Sequence, residues 1–241
     1  MSVVTMVLAH VPLFSGLAAN ELDSLGEALR PRRYARGDLI FQQGDPGDAF
    51  YVIENGEVKV VLSSSDGREA ILAILGPGHF FGELSLLDGD PRSADVIAKE
   101  DCTLLALRRE DFLAFLRAYP RAAEALLAVL SRRLRATDDL VHDAAFLDVA
   151  ARLARLLLKL GDTHGRKEAD GVVLGVRLTQ EDLASMVGST RETVNKWLKS
   201  WERQGILHSR GGILTLRQPG ELRKRTHLIG EIGVEDAVEL A

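Results

Sequence analysis

The chain has 241 residues, 46% hydrophobic and 27% charged, with a formal net charge of −5 and one cysteine. That length admits two modest domains of ordinary globular composition. The lone Cys102 excludes an internal disulfide and a cysteine-held metal cluster, and no apolar run approaches the ~18 residues of a membrane span.

Residues Met1 to His10 lack the basic run of a secretory signal, so a cytoplasmic location with no membrane partner is expected. Two short helical segments come first, the second opened by Asn20 and Glu21. From Tyr34 to Leu107 the punctuation is regular: Gly37-Asp38, Gly44-Asp45, Asn55-Gly56, Asp66-Gly67 and Gly76-Pro77-Gly78 separate short apolar runs such as Phe50-Tyr51-Val52-Ile53. Short strands at about 8–12-residue spacing predict a sandwich or barrel. Cys102 falls in one of these runs and reads as inert core.

Within this region Gly82 to Ser93 is the most informative stretch. Leu84, Leu86 and Leu87 read as buried, and Asp88-Gly89-Asp90-Pro91 reads as a tight turn. Glu83 and Arg92 are then a lone acid and a lone base in apolar or turn-forming surroundings. An arginine fork beside a hydroxyl suits a phosphate, and a carboxylate accepts from sugar hydroxyls. A structural ion pair between Glu83 and Arg92 is the alternative. The run Gly82-Glu83-Leu84-Ser85-Leu86-Leu87, continued by Gly89 and Pro91-Arg92-Ser93-Ala94, resembles the phosphate-binding cassette of cyclic-nucleotide-binding domains. The resemblance implies that Gly82, Arg92 and Ser93 hold the cyclic phosphate, that Glu83 holds the ribose 2′-hydroxyl, and that Leu84 belongs to the same ligand-binding set. It also implies the β-roll of that family, a double-stranded β-helix of jelly-roll type.

From Arg109 the period becomes helical. Leu127, Leu130, Leu134, Thr137, Val141 and Ala144 follow steps of three and four, the seam of a coiled coil and so a candidate homodimer interface. A buried strut within one chain is the alternative. The resemblance places a purine-binding residue on this seam, which here is Thr137, and Asp138 stands where well-known members carry a hydroxyl residue. Ala144 to Val149 reads as a hinge, Ala150 to Leu160 as an amphipathic helix, and Gly161 to Gly171 as a surface loop.

Thr179-Gln180-Glu181-Asp182 and Ser189-Thr190-Arg191-Glu192 each fit a hydroxyl helix cap with an acid three residues on, the second as a full capping box and the first more loosely. Leu183, Ala184 and Val187 face inward, Gly188 takes a turn where a side chain would clash or force positive φ, and Val194, Trp197 and Leu198 line the second helix. This is helix-turn-helix spacing, with an ordinary helical hairpin as the alternative. Arg191, Glu192 and Lys196 face outward together, where Arg suits guanine O6/N7 and Glu accepts from cytosine N4. Ser189, Thr190, Thr193, Lys199 and Arg203 are expected phosphate contacts. Arg191-Glu192-Thr193-Val194 resembles the recognition helix of the cyclic-AMP receptor family of bacterial transcription regulators, which implies a TGTGA-like half-site. Lys196 stands where many members have Arg, and loss of the fork predicts looser discrimination there. Ile206 to Leu216 reads as a β-hairpin wing with a Gly211-Gly212 tip and Arg210 near phosphate. The tail from Gln218, with basic Arg223-Lys224-Arg225 and an acidic end, has no assigned role.

Charge follows the same division. Residues 1–150 hold 15 Lys and Arg against 23 Asp and Glu, whereas residues 151–228 hold 15 against 8. An acidic half joined to a basic half is expected when only one half meets a polyanion. The expected fold class is α+β: a cyclic-nucleotide-binding β-roll over residues 1–120, a dimerisation helix and hinge over 121–147, a winged helix-turn-helix over 148–217 and a tail over 218–241. The expected protein is a homodimeric regulator that binds double-stranded DNA, takes cyclic AMP ahead of cyclic GMP as effector, and meets RNA polymerase. The rival is a relative that senses something else or binds DNA constitutively. The cysteine count excludes an iron–sulfur sensor, and His79 is the only axial-ligand candidate beside the cassette for a haem sensor. The six histidines are scattered and there is no metal-carboxylate cluster, so no catalytic residue and no metal site are expected.

Overall fold

The structure, a computed structural model, describes residues 3–226. Among these the chain divides into two compact units, with the boundary after Arg135.

The first unit opens with helix α1 (Val3–Ala9), a short 3-10 turn (Pro12–Phe14) and α2 (Ala19–Ala28). Glu21 Oε2 accepts from the Ala18 N–H at 2.7 Å and so closes the first turn of α2. Strands β1 (Arg30–Tyr34), β2 (Leu39–Phe41), β3 (Ala49–Asn55), β4 (Val58–Ser63), β5 (Glu69–Leu75), β6 (Phe80–Phe81), β7 (Asp95–Ala98) and β8 (Cys102–Arg108) follow, with the four-residue helix α3 (Leu84–Leu87) between β6 and β7. They form two antiparallel four-stranded sheets, ordered β1-β8-β3-β6 and β2-β7-β4-β5. Successive side chains of β3 enter two different cores, so this strand is buried on both faces. Tyr51 and Ile53 pack with Val58, Val96 and Phe81 between the sheets. Phe50 and Val52 point the other way, into a cluster with Leu8, Leu25, Phe112 and Phe115, supplied by α1, α2 and α4 (Arg109–Ala118). A strand buried on both faces has to be apolar throughout rather than alternating. The rings of Phe50 and Phe112 stack at 4.6 Å, and those of Tyr51 and Phe81 at 5.2 Å.

Helix α5 (Pro120–Phe146) is the longest element. Ala122 and Leu126 are buried in the helical cluster and Leu130 packs against it, but Leu127, Leu134 and Val141 are each more than 60% exposed. Those three lie seven residues apart, so they form one stripe along a straight helix.

The second unit is built on α6 (Val149–His164), whose N-cap Asp148 accepts from the Ala151 N–H at 2.7 Å. The segment between α5 and α6 is thus two residues, Leu147 and Asp148, shorter than the Ala144–Val149 hinge expected. Strands β9 (Gly165–Glu168) and β10 (Gly171–Leu174), helices α7 (Gln180–Val187) and α8 (Arg191–Arg203), the hairpin β11 (Leu207–Arg210)–β12 (Ile213–Leu216) and α9 (Pro219–Arg225) complete it. The sheet order is β11-β12-β10-β9. Trp201, fully buried, centres a core with Leu153, Leu157, Leu183, Val194 and Leu216.

Several expectations are corrected. The stretch Gly161 to Gly171 is the end of α6 plus β9, not a loop. Its glycines serve close packing: a Cβ on Gly165 would lie 2.1 Å from Gly161 O, and one on Gly161 would lie 3.2 Å from Leu216 Cδ1. Leu86 is buried, but Leu84 and Leu87 are 43% and 40% exposed, because three residues of helix return to the same side and Leu86 holds the other. The inner face of α8 carries Trp201 in addition to Val194 and Leu198, while Trp197 is half-buried. The start of the tail is structured: Leu222 of α9 is fully buried in the second core, and Arg225 donates to Gln204 Oε1 at 2.9 Å. The acidic end of the tail lies outside the described residues.

Candidate functional site

Gly82 follows β6 with φ +81°, a region that favours glycine. A Cβ there would lie 2.8 Å from Arg92 Nη1. The opposing backbone is fixed as well: the Arg92 N–H donates to Asp45 O at 2.8 Å and the Gly44 N–H to Arg92 O at 2.9 Å. Between these anchors the Arg92 guanidinium is buried. Nη1 donates to Gly82 O (2.7 Å) and Ser85 Oγ (3.0 Å), and Nη2 to Ala49 O (2.8 Å) and Asp48 Oδ1 (3.3 Å). The guanidinium lies over the Phe41 ring, 4.1 Å from its centroid. Burial holds its pKa below the usual arginine value, against the opposing pull of Tyr51, Asp48 and Glu83. Burial likewise pushes the Tyr51 phenol up to about 12, so it stays protonated and accepts from Arg32 Nη1 at 3.2 Å. Asp48 is exposed, so the cation has only partial compensation.

Glu83, 1% exposed, does not pair with Arg92. Its Oε1 accepts from Arg133 Nη1 of α5 at 2.7 Å, and Arg133 Nη2 donates to Phe80 O while its guanidinium lies 5.0 Å from the Phe80 centroid. No motif in the sequence marks Arg133 for this role. The one available signal was its place in α5, four residues before Thr137. Of the five buried side-chain atoms without a protein partner among the described residues, two lie in this cassette: Arg92 Nε, a donor, and Glu83 Oε2, an acceptor. Such atoms are costly unless a ligand or water meets them. A donor on a buried cation and an acceptor on a buried carboxylate are the pair that a phosphate and a sugar hydroxyl would satisfy. Ser93 is at the surface, as are Thr137 and Asp138 on α5. His79 is exposed, with Nδ1 3.1 Å from Gly76 O.

In the second unit α7 and α8 are joined by Gly188, at φ 62° and ψ 51°. A Cβ there would meet nothing within 4 Å, so the backbone angle and not a clash is what calls for glycine. The capping pattern is the reverse of that expected. Thr179 and Asp182 form the reciprocal box: Oγ1 accepts from Asp182 N and Oδ2 from Thr179 N, both at 3.0 Å. Ser189 caps nothing, because α8 starts at Arg191 and its cap is Thr190, whose Oγ1 accepts from the Thr193 N–H at 3.3 Å. The residue three beyond that cap is therefore Thr193, which leaves Glu192 exposed.

Arg191, Glu192, Lys196, Lys199 and Arg203 are all exposed on α8; Ser189 and Thr193 are half-buried beside it, and Thr190 is exposed. None of Arg191, Lys196, Lys199, Arg203 or Arg210 forms an ion pair among the described residues. Five cations left for solvent on one small unit suit a polyanion. The β11–β12 hairpin turns on Gly211 and Gly212, at φ 59° and 78°, the two positive angles of a tight type I′ turn. Arg210 is exposed at its tip. Glu202 fixes this wing to α8, accepting from the Ser209 N–H at 3.0 Å and lying 3.2 Å from His208 Nδ1. Arg152 of α6 donates to Leu147 O at 3.2 Å and to Gly188 O at 3.5 Å, so one guanidinium spans the α5–α6 connection and the turn before α8. Gln180 Nε2 donates to Asn195 Oδ1 at 3.2 Å across the two helices, a contact that no sequence pattern indicates.

Comparison with known proteins agrees with both halves. The cyclic nucleotide-binding domain matches residues 31–119 and the Crp-like helix-turn-helix domain matches residues 151–225. The CRP-like cAMP-activated global transcriptional regulator of Mycobacterium tuberculosis is 35% identical over 219 residues, covering 91% of this chain and 98% of that protein. The chain belongs to the cyclic-AMP receptor family. The Cyclic AMP receptor protein of Thermus thermophilus is 39% identical over 213 residues, 88% of this chain and 95% of that one. Among solved structures of the same family, the c-di-GMP responsive global regulator CLP of Xanthomonas campestris superposes with a TM-score of 0.73 at 29% identity, covering 83% of this chain and 99% of that one. As a cyclic-AMP receptor family member, the chain is a cyclic-nucleotide-binding transcription regulator with a helix-turn-helix for DNA. Among the described residues no helix is long and apolar enough to cross a membrane. Cys102 is buried, and burial pushes its thiol pKa up, which suits core packing rather than reactivity.

Proposed function

We propose that this chain is a cytoplasmic, homodimeric transcription regulator that takes cyclic AMP as its effector, has no catalytic activity and reads a palindromic TGTGA-like site. The observation that carries the ligand is the unsatisfied pair in the cassette, Arg92 Nε and Glu83 Oε2. Arg92 gives the cyclic phosphate its donor, with Gly82 and Ser93 beside it, and Glu83 accepts from the ribose 2′-hydroxyl. Leu84 covers the ligand, and Thr137 and Asp138 meet the purine. The printed names of the M. tuberculosis and T. thermophilus relatives favour cyclic AMP over cyclic GMP. The exposed stripe Leu127, Leu134 and Val141 supports a second copy of α5 as its cover. Two copies of α8 would then reach successive major grooves about 34 Å apart. Arg191, Glu192 and Lys196 read bases, while Ser189, Thr190, Thr193, Lys199, Arg203 and Arg210 hold phosphates. RNA polymerase is the partner through which binding would act on transcription.

A second reading keeps the fold and changes the effector. It is favoured by Asp138, an acid where the family resemblance expects a hydroxyl, and by the c-di-GMP responsive neighbour. Calorimetry of the full chain with cyclic AMP, cyclic GMP and c-di-GMP separates the two. Cyclic AMP should bind most tightly, and Arg92→Ala should weaken it by at least about 10-fold, since a charge-assisted bond contributes roughly 1.5–3 kcal/mol. Unchanged cyclic AMP binding by Arg92→Ala, or tighter binding of c-di-GMP, would overturn the assignment.

A further inference from the structure

We propose that Asn195 is a base-reading residue of α8 whose side-chain amide is oriented by Gln180, so that it presents hydrogen-bond donors to a base edge. The inference rests on α8 being the DNA-reading helix. Val194, Leu198 and Trp201 are the buried residues of that helix and define its inner face. At about 100° per residue, Arg191, Asn195 and Lys199 form one ridge at steps of four, with Glu192 and Lys196 along its outer side. Asn195 therefore falls inside the exposed polar stripe, between residues already assigned to DNA. It is half-buried where Arg191, Lys196 and Lys199 are exposed.

What sets Asn195 apart is a hydrogen-bond partner on α7. Gln180 Nε2 donates to its Oδ1 at 3.2 Å. Gln180 is the first residue of α7, immediately after the Thr179 cap, and the reciprocal bonds between Thr179 and Asp182 fix that end of the helix. The bond uses the carbonyl side of the Asn195 amide and turns its NH2 group the other way. A free asparagine can present either end to DNA and typically pairs with adenine through both. An asparagine held by its oxygen offers two N–H donors from a fixed position. Donors match an acceptor in the major groove: purine N7, guanine O6 or thymine O4. Cytosine offers only its N4 donor there and would be rejected. Pre-setting the amide also removes the ordering cost that a flexible side chain meets on binding.

The test is selection of DNA from a randomised library by the full chain, followed by sequencing, with cyclic AMP present. Wild type should enrich a motif, and one position in each half-site should exclude cytosine by about 5-fold or more, the effect of one good base contact. Asn195→Asp keeps an oxygen for Gln180 and replaces the NH2 donors by an acceptor, so preference at that position should move to cytosine. Asn195→Ala should flatten that position alone, and Gln180→Ala should broaden it while leaving the rest of the motif. Thermal melting checks that each variant is folded. No enriched motif with wild type would remove the DNA-reading assignment itself. A wild-type motif that Asn195→Asp and Asn195→Ala leave unchanged, or weaken equally at every position, would overturn the role of Asn195 and leave α8 as the reader.

Discussion

Replacing Arg133 by Met keeps the length of the side chain over Phe80 and removes the charge that meets Glu83. The two atoms are 2.7 Å apart, with side-chain exposures of 35% for Arg133 and 2% for Glu83. At an effective dielectric near 20 the bare attraction is about 6 kcal/mol. Desolvation offsets most of that. Breaking a fully buried pair costs about 3–5 kcal/mol and an exposed one about 0–1. With one partner buried and the other a third exposed, the loss should be about 2 kcal/mol. For a chain of this length that is a fall of about 4–8 °C in melting temperature. Scanning calorimetry at fixed protein concentration, without nucleotide, reads it. Glu83→Gln removes the buried charge but keeps an oxygen for Arg133, so the double variant should be about 1–2 kcal/mol more stable than the two single losses together imply. Strict additivity, or a melting temperature for Arg133→Met within about 1 °C of wild type, would refute the claim that Arg133 holds Glu83 in place.

Two further perturbations test other links. Leu134 is 64% exposed in the middle of the α5 stripe, so light scattering should report a dimer for wild type and a folded monomer for Leu134→Glu. An unchanged dimer mass would place the interface elsewhere. Tyr51 titrates near 12 in the fold against 10.0 unperturbed, a raised pKa, so its contribution is complete below pH 10 and is lost as pH rises towards 12. Between pH 9 and 11 wild type should lose about 1 kcal/mol more stability than Tyr51→Phe. Parallel urea midpoints for the two proteins over that range would contradict it.

How much of this was legible in the sequence depends on the distance over which each feature acts. The Asp88–Pro91 turn, the Gly188 corner and the Gly-Gly wing tip are local, set by backbone angles that few residues accept, and each stands where its residues indicated. The partner of Glu83 was not legible, because Arg133 is 50 residues away and nothing in its neighbours marks the reach. Arg92 is buried, as its apolar surroundings suggested, yet most of its donors turn to Gly82 O, Ala49 O and Ser85 Oγ, acceptors that no pattern of residue types announces. The polar run Gly165–Glu168 hid a strand because an exposed edge carries no alternation. The glycines flanking it resembled loop punctuation although they serve close packing against β10 and β12. The Gln180–Asn195 contact was not legible because a side-chain amide pair has no sequence signature until two helices bring it together.

The most direct measurement is a fluorescence anisotropy titration of a palindrome with TGTGA-type half-sites, at fixed salt, with no nucleotide, cyclic AMP or cyclic GMP. Linkage between the cassette and α8 predicts that cyclic AMP raises DNA affinity by about 10-fold or more, that cyclic GMP does less, and that Arg92→Ala abolishes the cyclic AMP effect while leaving basal binding. Equal affinity with and without cyclic AMP would contradict it and leave the helix-turn-helix as a constitutive reader.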